Sequence, residues 1–500
     1  MKKLILKIFS IFVVLLTATH PAFAVSGDVH VLLGKFSGSR LSSTSVMTAR
    51  QANGKNVSFK AGAYNVKISG KKLRIGSQNL AMPAVISSNQ PISWNGRQYS
   101  GQLTFSLVQN GLSVGNKIDI EQYLCGVLRA EMSPSWHLEA LKAQAVLART
   151  YAIKNKGMHG AYDICDSIHC QAYNGNAVDA SIRAAVMATE GIILHYGGSP
   201  ANVYYHSDSG GMVTRAGAVW SSDFPYLQPR SEPVAYASPN TSWEITLPMS
   251  QIQSKLAAGK ISVGTVTSLA PVLRDESGRV QQLKITGSKG TQTISGNQFR
   301  LLVGSTVLKS TLFEFGSRSA YNTAITEPTA TQPKQPVAVP STPIPPVTSA
   351  QPKATALVNV DLSQLPSDED GQIVWMTMNR VFTTQELMEI LSRPEQRASY
   401  IEMGIARIKG EKPIPTIGSA LVHPQQPRPQ TTAPAAGARP SSVKVSLSMA
   451  AATGTSVTFY GRGYGHGVGL SQWGAKAMAD NGWSYDRILM HYFPGTTIAQ

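Results

Sequence analysis

Three cysteines in 500 residues, Cys125, Cys165 and Cys170, are too few for a disulfide framework. Acidic side chains are scarce: 28 Asp and Glu stand against 45 Lys and Arg, a formal charge of +17. After the first two dozen residues no apolar run approaches the roughly 20 residues of a membrane-spanning helix. Beyond its start the chain is therefore expected not to be an integral membrane protein. The HExxH pair of a zinc hydrolase is absent, as is a P-loop lysine. GxGxxG occurs at Gly463, but no βαβ unit or acidic ribose ligand accompanies it, so dinucleotide binding is excluded.

The opening MKKLILKIFSIFVVLLTATHPAFA carries Lys2 and Lys3, an apolar core over 8–16, and Ala22-Phe23-Ala24. That pattern predicts a secretory signal peptide, 1–24, with an uncleaved anchor as the alternative. Its loss removes three cations, Lys2, Lys3 and Lys7, and leaves the rest basic. An exported basic protein, in the periplasm or cell wall, is not expected to meet nucleic acid. Anionic envelope polymers or membrane surfaces are the electrostatic partners in view, and plain solubility is the alternative.

Five hundred residues are too many for one simple core, so two or three folded units are expected. From 29 to 113 apolar and polar residues alternate between Gly and Asn turns, and VHVLL, YNVKI, KLRI and GQLTFSLV read as strands. An apolar run then meets Glu131-Met132-Ser133-Pro134, where Ser133, Pro134 and Ser135 are helix-start chemistry. Leu138, Leu141, Ala145, Ala148 and Ala152 form a helical stripe, and Lys142 and Arg149 share one face. A second alanine-rich helix is expected over 176–190, then strands at IILHY and NVYYH, with more alternation over 243–315.

Pro-, Thr- and Gln-rich composition marks linkers at 319–353 and 411–442. Between them, 354–410 is a small segment with helices expected at 384–391 and 395–408. Strands at VKVSLSM and SVTFYG precede a glycine-rich loop and two short helices. The fold class is α+β. Mainly antiparallel strands and alanine-rich helices surround a cleft, in a domain of 25–318 and 443–500 that the linker-flanked segment interrupts.

Four stretches carry chemistry. Glu131, at a chain break, suits a general acid whose proton affinity burial raises, while Lys142 and Arg149 push the other way. The plain alternative is a helix N-terminal carboxylate answering the macrodipole. His159, Cys165, His169 and Cys170 within a dozen residues supply the donors of a tetrahedral structural zinc site. A Cys165–Cys170 disulfide is the rival. Cys125, inside YLCGVL, reads as a small buried hydrophobe. In YYHSDSGG, residues Tyr204, His206, Ser207, Ser209 and Gly210 suit a carbohydrate-lining loop, a surface turn being the alternative. Asp208 is the only candidate for a second acid. In GRGYGHGVGLSQWGAKAMA, five glycines in nine residues would let backbone approach a ligand beside His466, Ser471 and Gln472.

YLCGVLRAEMSPSWHLEALKAQAVLARTYA, YYHSDSGG, GYGHGVGLSQWGAKAMA and ILMHYFPGTTI together resemble the stage II sporulation protein D/amidase-enhancer family. The resemblance covers 29–315 and 443–498 and leaves out the linkers and the segment between them. It implies a cell-wall protein acting on peptidoglycan glycan strands, a lytic transglycosylase cutting strands stripped of stem peptides. The family's catalytic glutamate falls on Glu131, although Ser133 interrupts the Glu-Met-Pro motif. Its helix cations fall on Lys142 and Arg149, and its functional tyrosine on Tyr205, next to Tyr204. Some members bind zinc through residues similar to His159, Cys165, His169 and Cys170. The alternative function is a non-catalytic wall-binding enhancer of a peptidoglycan amidase.

Overall fold

Alternating side chains over residues 28–119 build most of two mainly antiparallel sheets that share one core. A computed structural model describes residues 27–109, 111–220, 222–316, 362–378, 381–382, 397–409, 449 and 451–500. The expected signal peptide, both linkers, the helix at 384–391 and all of VKVSLSM but Met449 lie outside the described residues. In the larger sheet the spatial order is Ile164–Cys165, Asp28–Phe36, Gly111–Asp119, Gln102–Val108, Ala84–Ser88, Met47–Gln51, Asn56–Phe59. Val29, Val31 and Leu33 alternate inward along the second of these, as a period of two requires. A six-stranded sheet includes Ile92–Trp94 and Gly38–Ser43. Trp94 meets Phe105 of the larger sheet edge-to-face at 5.2 Å, which locks the pair.

The apolar run after the last of these strands is a helix, α1 (Ile120–Glu131). Asp119 starts it by accepting from the amides of Glu121 and Gln122 at 3.1 and 3.2 Å. It stops at Met132, whose backbone is extended. Ser133 to Ser135 form a turn and not a helix start; α2 (Leu138–Lys154) begins three residues later, with the His137 ring accepting from the Glu139 amide. Alanines let α2 pack on nearly every side, against α1, α3 (Ala180–Ala188) and the C-terminal helices, so it is a central helix and not a one-sided amphipathic one. The second alanine-rich helix is shorter than its composition suggests, because the backbone at Asp179 is extended.

A second core lies between a four-stranded sheet, a three-stranded sheet and two helices, α4 (Met249–Ala258) and α5 (Gly296–Val303). The strand Ser456–Gly461 is the middle one of the three, between Trp243–Pro248 and Phe313–Phe315. In the segment between the linkers, α6 (Glu369–Met378) and α7 (Arg397–Lys409) pack on α3 through Ile373, Met376 and Tyr400 around Ala184. The chain ends with α8 (Gln472–Asp480), α9 (Tyr485–Tyr492) and a strand, Thr497–Ala499, paired with Ile193–Tyr196. The architecture is α+β with mainly antiparallel strands.

Candidate active site

Glu131 is the last residue of α1, so it faces the negative end of that helix and not the positive start of the next. Its Oε1 accepts from the Ala172 amide at 3.3 Å and its Oε2 from the Gln472 side-chain amide at 3.1 Å. Burial pushes its proton affinity above the ordinary carboxylate range, and the two hydrogen bonds offset part of that push. Neither Lys142 nor Arg149 is among the groups acting on it.

Those two cations are placed otherwise than their spacing implies. Arg149 is fully buried and grips Glu121 in the first turn of α1 through two bonds of 2.8 and 2.5 Å. Its remaining donors reach the carbonyls of Ile192 and Val186. Lys142 pairs with Glu139 at 2.7 Å and lies over the Tyr485 ring. Glu139 also accepts from the Tyr485 amide, so this pair fixes the start of α9. Both cations therefore brace helices around Glu131 and do not flank it.

Tyr205 is half-buried, and its hydroxyl accepts from the Gln171 amide at 3.1 Å. Burial, aided by the Glu131 charge, holds its proton firmly. Among the described residues that hydroxyl has no acceptor, so its proton is available to a ligand. Gln171 is fixed in turn by the Tyr123 hydroxyl and the Ala148 carbonyl. Gln171 and Ala172 thus hold Tyr205 and Glu131. No motif in the sequence marked them; their only signal is that they follow Cys170 directly.

The glycine-rich loop packs against the chain's own second loop. Residues 205–206 pair in parallel with 470–471, and bridges join Asp208 to Tyr464 and Thr214 to Val468. A Cβ on Gly465 would stand 2.6 Å from that of His206, and one on Gly469 would collide with the Tyr204 carbonyl. His206, Ser209 and Ser471 are buried in this seam. Ser207 gives its carbonyl to Trp473, and the Gly210 amide donates to Asp208 at 2.7 Å.

Both imidazoles there are neutral. His466 is driven down to about 3, first by burial and then by Arg300; its Nδ1 accepts from the Val468 amide. His206 is lowered well below the ordinary imidazole range, mainly by burial, and donates from Nδ1 to the Val468 carbonyl. Tyr204 stacks on Trp220 at 4.6 Å, with His466 4.9 Å from the same indole. Trp220 borders a groove of about 420 Å³ whose walls include Gln281, Gln282 and Gln298.

Asp208 is no second acid facing Glu131. Its oxygens serve Gly210, Tyr236 and Ser238. A carboxyl that sequence reasoning missed, Glu232, lies in the same network. It accepts from Ser209 at 2.6 Å and Tyr492 at 2.7 Å, and burial raises it to about 7. Nothing in SEPVAYA distinguishes this glutamate as sequence. From the second core, Arg279 donates to the Ser209 and Met212 carbonyls and ties the loop down.

The donor atoms of His159, Cys165, His169 and Cys170 all lie within 4.8 Å of one another. The two sulfurs are 3.5 Å apart, far beyond the ~2.05 Å of a disulfide. Tetrahedral zinc with Zn–S of ~2.3 Å sets its two sulfurs roughly 3.7 Å apart, so the donor set and spacing fit that metal. Cys165 sits on a strand paired with Val31 and Leu32, which anchors the cluster to the larger sheet.

Fold and site together define an α+β protein with a half-buried carboxylate, Glu131, at a helix end, between a tyrosine-bearing loop and a glycine-rich loop. Residues 108–196 match the family model described as stage II sporulation protein (SpoIID). The chain is 33% identical over 202 residues to the amidase enhancer of Bacillus subtilis (strain 168), covering 39% of this chain and 28% of that protein. It is 30% identical over 234 residues to an uncharacterized protein of Brachyspira hyodysenteriae (46% and 62%). Against stage II sporulation protein D of B. subtilis it is 30% identical over 175 residues (31% and 51%). The matches thus span from about a quarter to under two thirds of these relatives. Over these residues the chain is similar to the stage II sporulation protein D/amidase-enhancer family.

Proposed function

We propose that this chain is an exported lytic transglycosylase that cuts peptidoglycan glycan strands already stripped of their stem peptides. The observation that carries the reading is Glu131: a carboxyl kept proton-rich by burial, held by two donors and without a cationic partner among the described residues. Glu131 gives its proton to the glycosidic oxygen as the bond to the anomeric carbon breaks. The muramic 6-hydroxyl then bonds to that carbon, and Glu131 recovers the proton the hydroxyl releases. No water is consumed, so no second carboxylate is needed; the acids nearest the two loops, Asp208 and Glu232, are spent on internal hydrogen bonds.

Tyr205 donates its free hydroxyl proton to the sugar, and Gln472 orients Glu131. Tyr204 and Trp220 offer aromatic surface for a pyranose ring, beside His466. Arg149 and Lys142 act as positioning residues, through α1 and α9. His159, Cys165, His169 and Cys170 hold a zinc ion; four protein donors leave it no open position, so what it supplies is a cross-link. That cross-link steadies Gln171 and Ala172. Metal analysis of protein purified without chelator should give close to one zinc per chain, and a value near zero refutes the site.

A second reading, a wall-binding enhancer of an amidase, is favoured by the match to the amidase enhancer. Peptide-free strands separate the two. The wild type should release anhydro-muramic ends, and Glu131→Gln should bind strands but release none. Binding by the wild type without product supports the enhancer instead.

A further inference from the structure

A cavity of about 550 Å³ opens between α1, the loop before α3, the sheet edge near residues 88–91 and Trp375 of α6. Its walls include none of Glu131, Tyr205 or the two loops of the candidate active site. Nothing in the proposed chemistry uses it.

The lining interleaves polar side chains with a larger share of apolar surface. Arg183 is its one charged side chain. The guanidinium makes a single bond, 3.3 Å to the Ala177 carbonyl, and its Nε is buried without an acceptor. No described carboxylate pairs with it; the nearby Asp179 is taken by Arg129 at 3.1 Å. Around the arginine stand the carboxamides of Asn89, Gln90, Gln122 and Asn176, none of which hydrogen-bonds another described residue. The apolar wall comes from Pro91, Ala177, Trp375 and Val178, the last 70% exposed. Nearly closed off at the floor is Cys125, only 5% exposed.

A cation without an anion calls for an anionic ligand, and a guanidinium fork suits a carboxylate. Unspent carboxamides both donate and accept, which suits a ligand rich in amide groups. The modest volume beside the apolar wall suits a short peptide with small side chains. From these three features we infer that the cavity binds the C-terminal end of a short acylated peptide with small side chains, its carboxylate on Arg183. The volume lies within the ordinary range of small-molecule sites, ~300–1,000 Å³. This site is separate from the glycan site, and it holds whether or not Glu131 cuts anything.

The test is calorimetric titration of the full chain with N-acetyl-dialanine bearing a free carboxylate, against the same peptide as its C-terminal amide. We expect saturable binding of the acid and at least roughly tenfold weaker binding of the amide, as the loss of a charged hydrogen bond implies. Arg183→Met should weaken the acid to a similar extent. Because that variant also loses the bond to Ala177, Val178→Asp provides a second arm. It sets a negative charge at an exposed rim position and should weaken the acid while sparing the amide. Equal binding of acid and amide overturns the proposal, as does the absence of saturable binding by either. So does undiminished binding of the acid by both variants.

Discussion

Replacing Gln472 by Leu removes one of the two hydrogen bonds on Glu131 while leaving α8 intact, since Ser471 still caps that helix by accepting from the Gly474 amide. A donor to a carboxylate favours the charged form, so its loss must raise the proton affinity, in the same sense as burial. A hydrogen bond to a charged group contributes about 1.5–3 kcal/mol, which is roughly ten- to a hundredfold in the acid dissociation constant. The upper figure applies if no water replaces the amide. The proposed first step needs Glu131 protonated, so the alkaline limb of kcat/KM on peptide-free strands should move to higher pH by that factor. The limb reports the free enzyme, and it is read from its position and not from the absolute rate, which lost substrate contacts also lower. A carbon-13 titration of the Glu131 carboxyl should move with it. A limb that stays in place, or moves to lower pH, refutes the assignment of Glu131 as the acid.

Arg149→Met tests whether this arginine is structural: it strands Glu121 and two carbonyls, so unfolding in urea should show a loss of about 3–5 kcal/mol. An unchanged midpoint with lost activity would return Arg149 to a direct catalytic role. Glu232 is raised from 4.5 to about 7, so the folded state holds its proton more tightly than the unfolded chain does. Its contribution is complete below about pH 4.5 and is lost as pH rises through about 7. Glu232→Gln, a mimic of the protonated form, should therefore match the wild type near pH 4. Above about pH 7 it should exceed the wild type by at most about 3 kcal/mol in denaturant titrations. A difference independent of pH would show that Glu232 does not titrate as described.

Much of the fold was legible because its signals are local. The strands of the first ninety residues follow from alternation alone, and VQQLKITG and SVTFYG lie in strands for the same reason. Glu131 was found by the break at Met132 and Ser133, and the zinc-type residues by their crowding within a dozen positions. What spacing could not supply was the direction of long side chains in a helix buried on all sides. Lys142 and Arg149 share a face, yet one reaches Glu139 and the other Glu121, twenty-eight residues back. The packing partner of the glycine-rich loop was hidden in a similar way. Its glycines accommodate residues 204–208 of the same chain, a contact more than 250 residues long-range that leaves no mark in either segment by itself. Glu232 and Gln171 belong to three-dimensional networks and carry no periodic signal at all.

Digestion of peptide-free glycan strands in heavy-oxygen water bears most directly on the role of Glu131. Transglycosylation predicts 1,6-anhydro-muramic ends from the wild type with no label incorporated, and no cleavage by Glu131→Gln. Labelled reducing ends would mean hydrolysis, and cleavage retained in Glu131→Gln would remove this carboxyl from the chemistry.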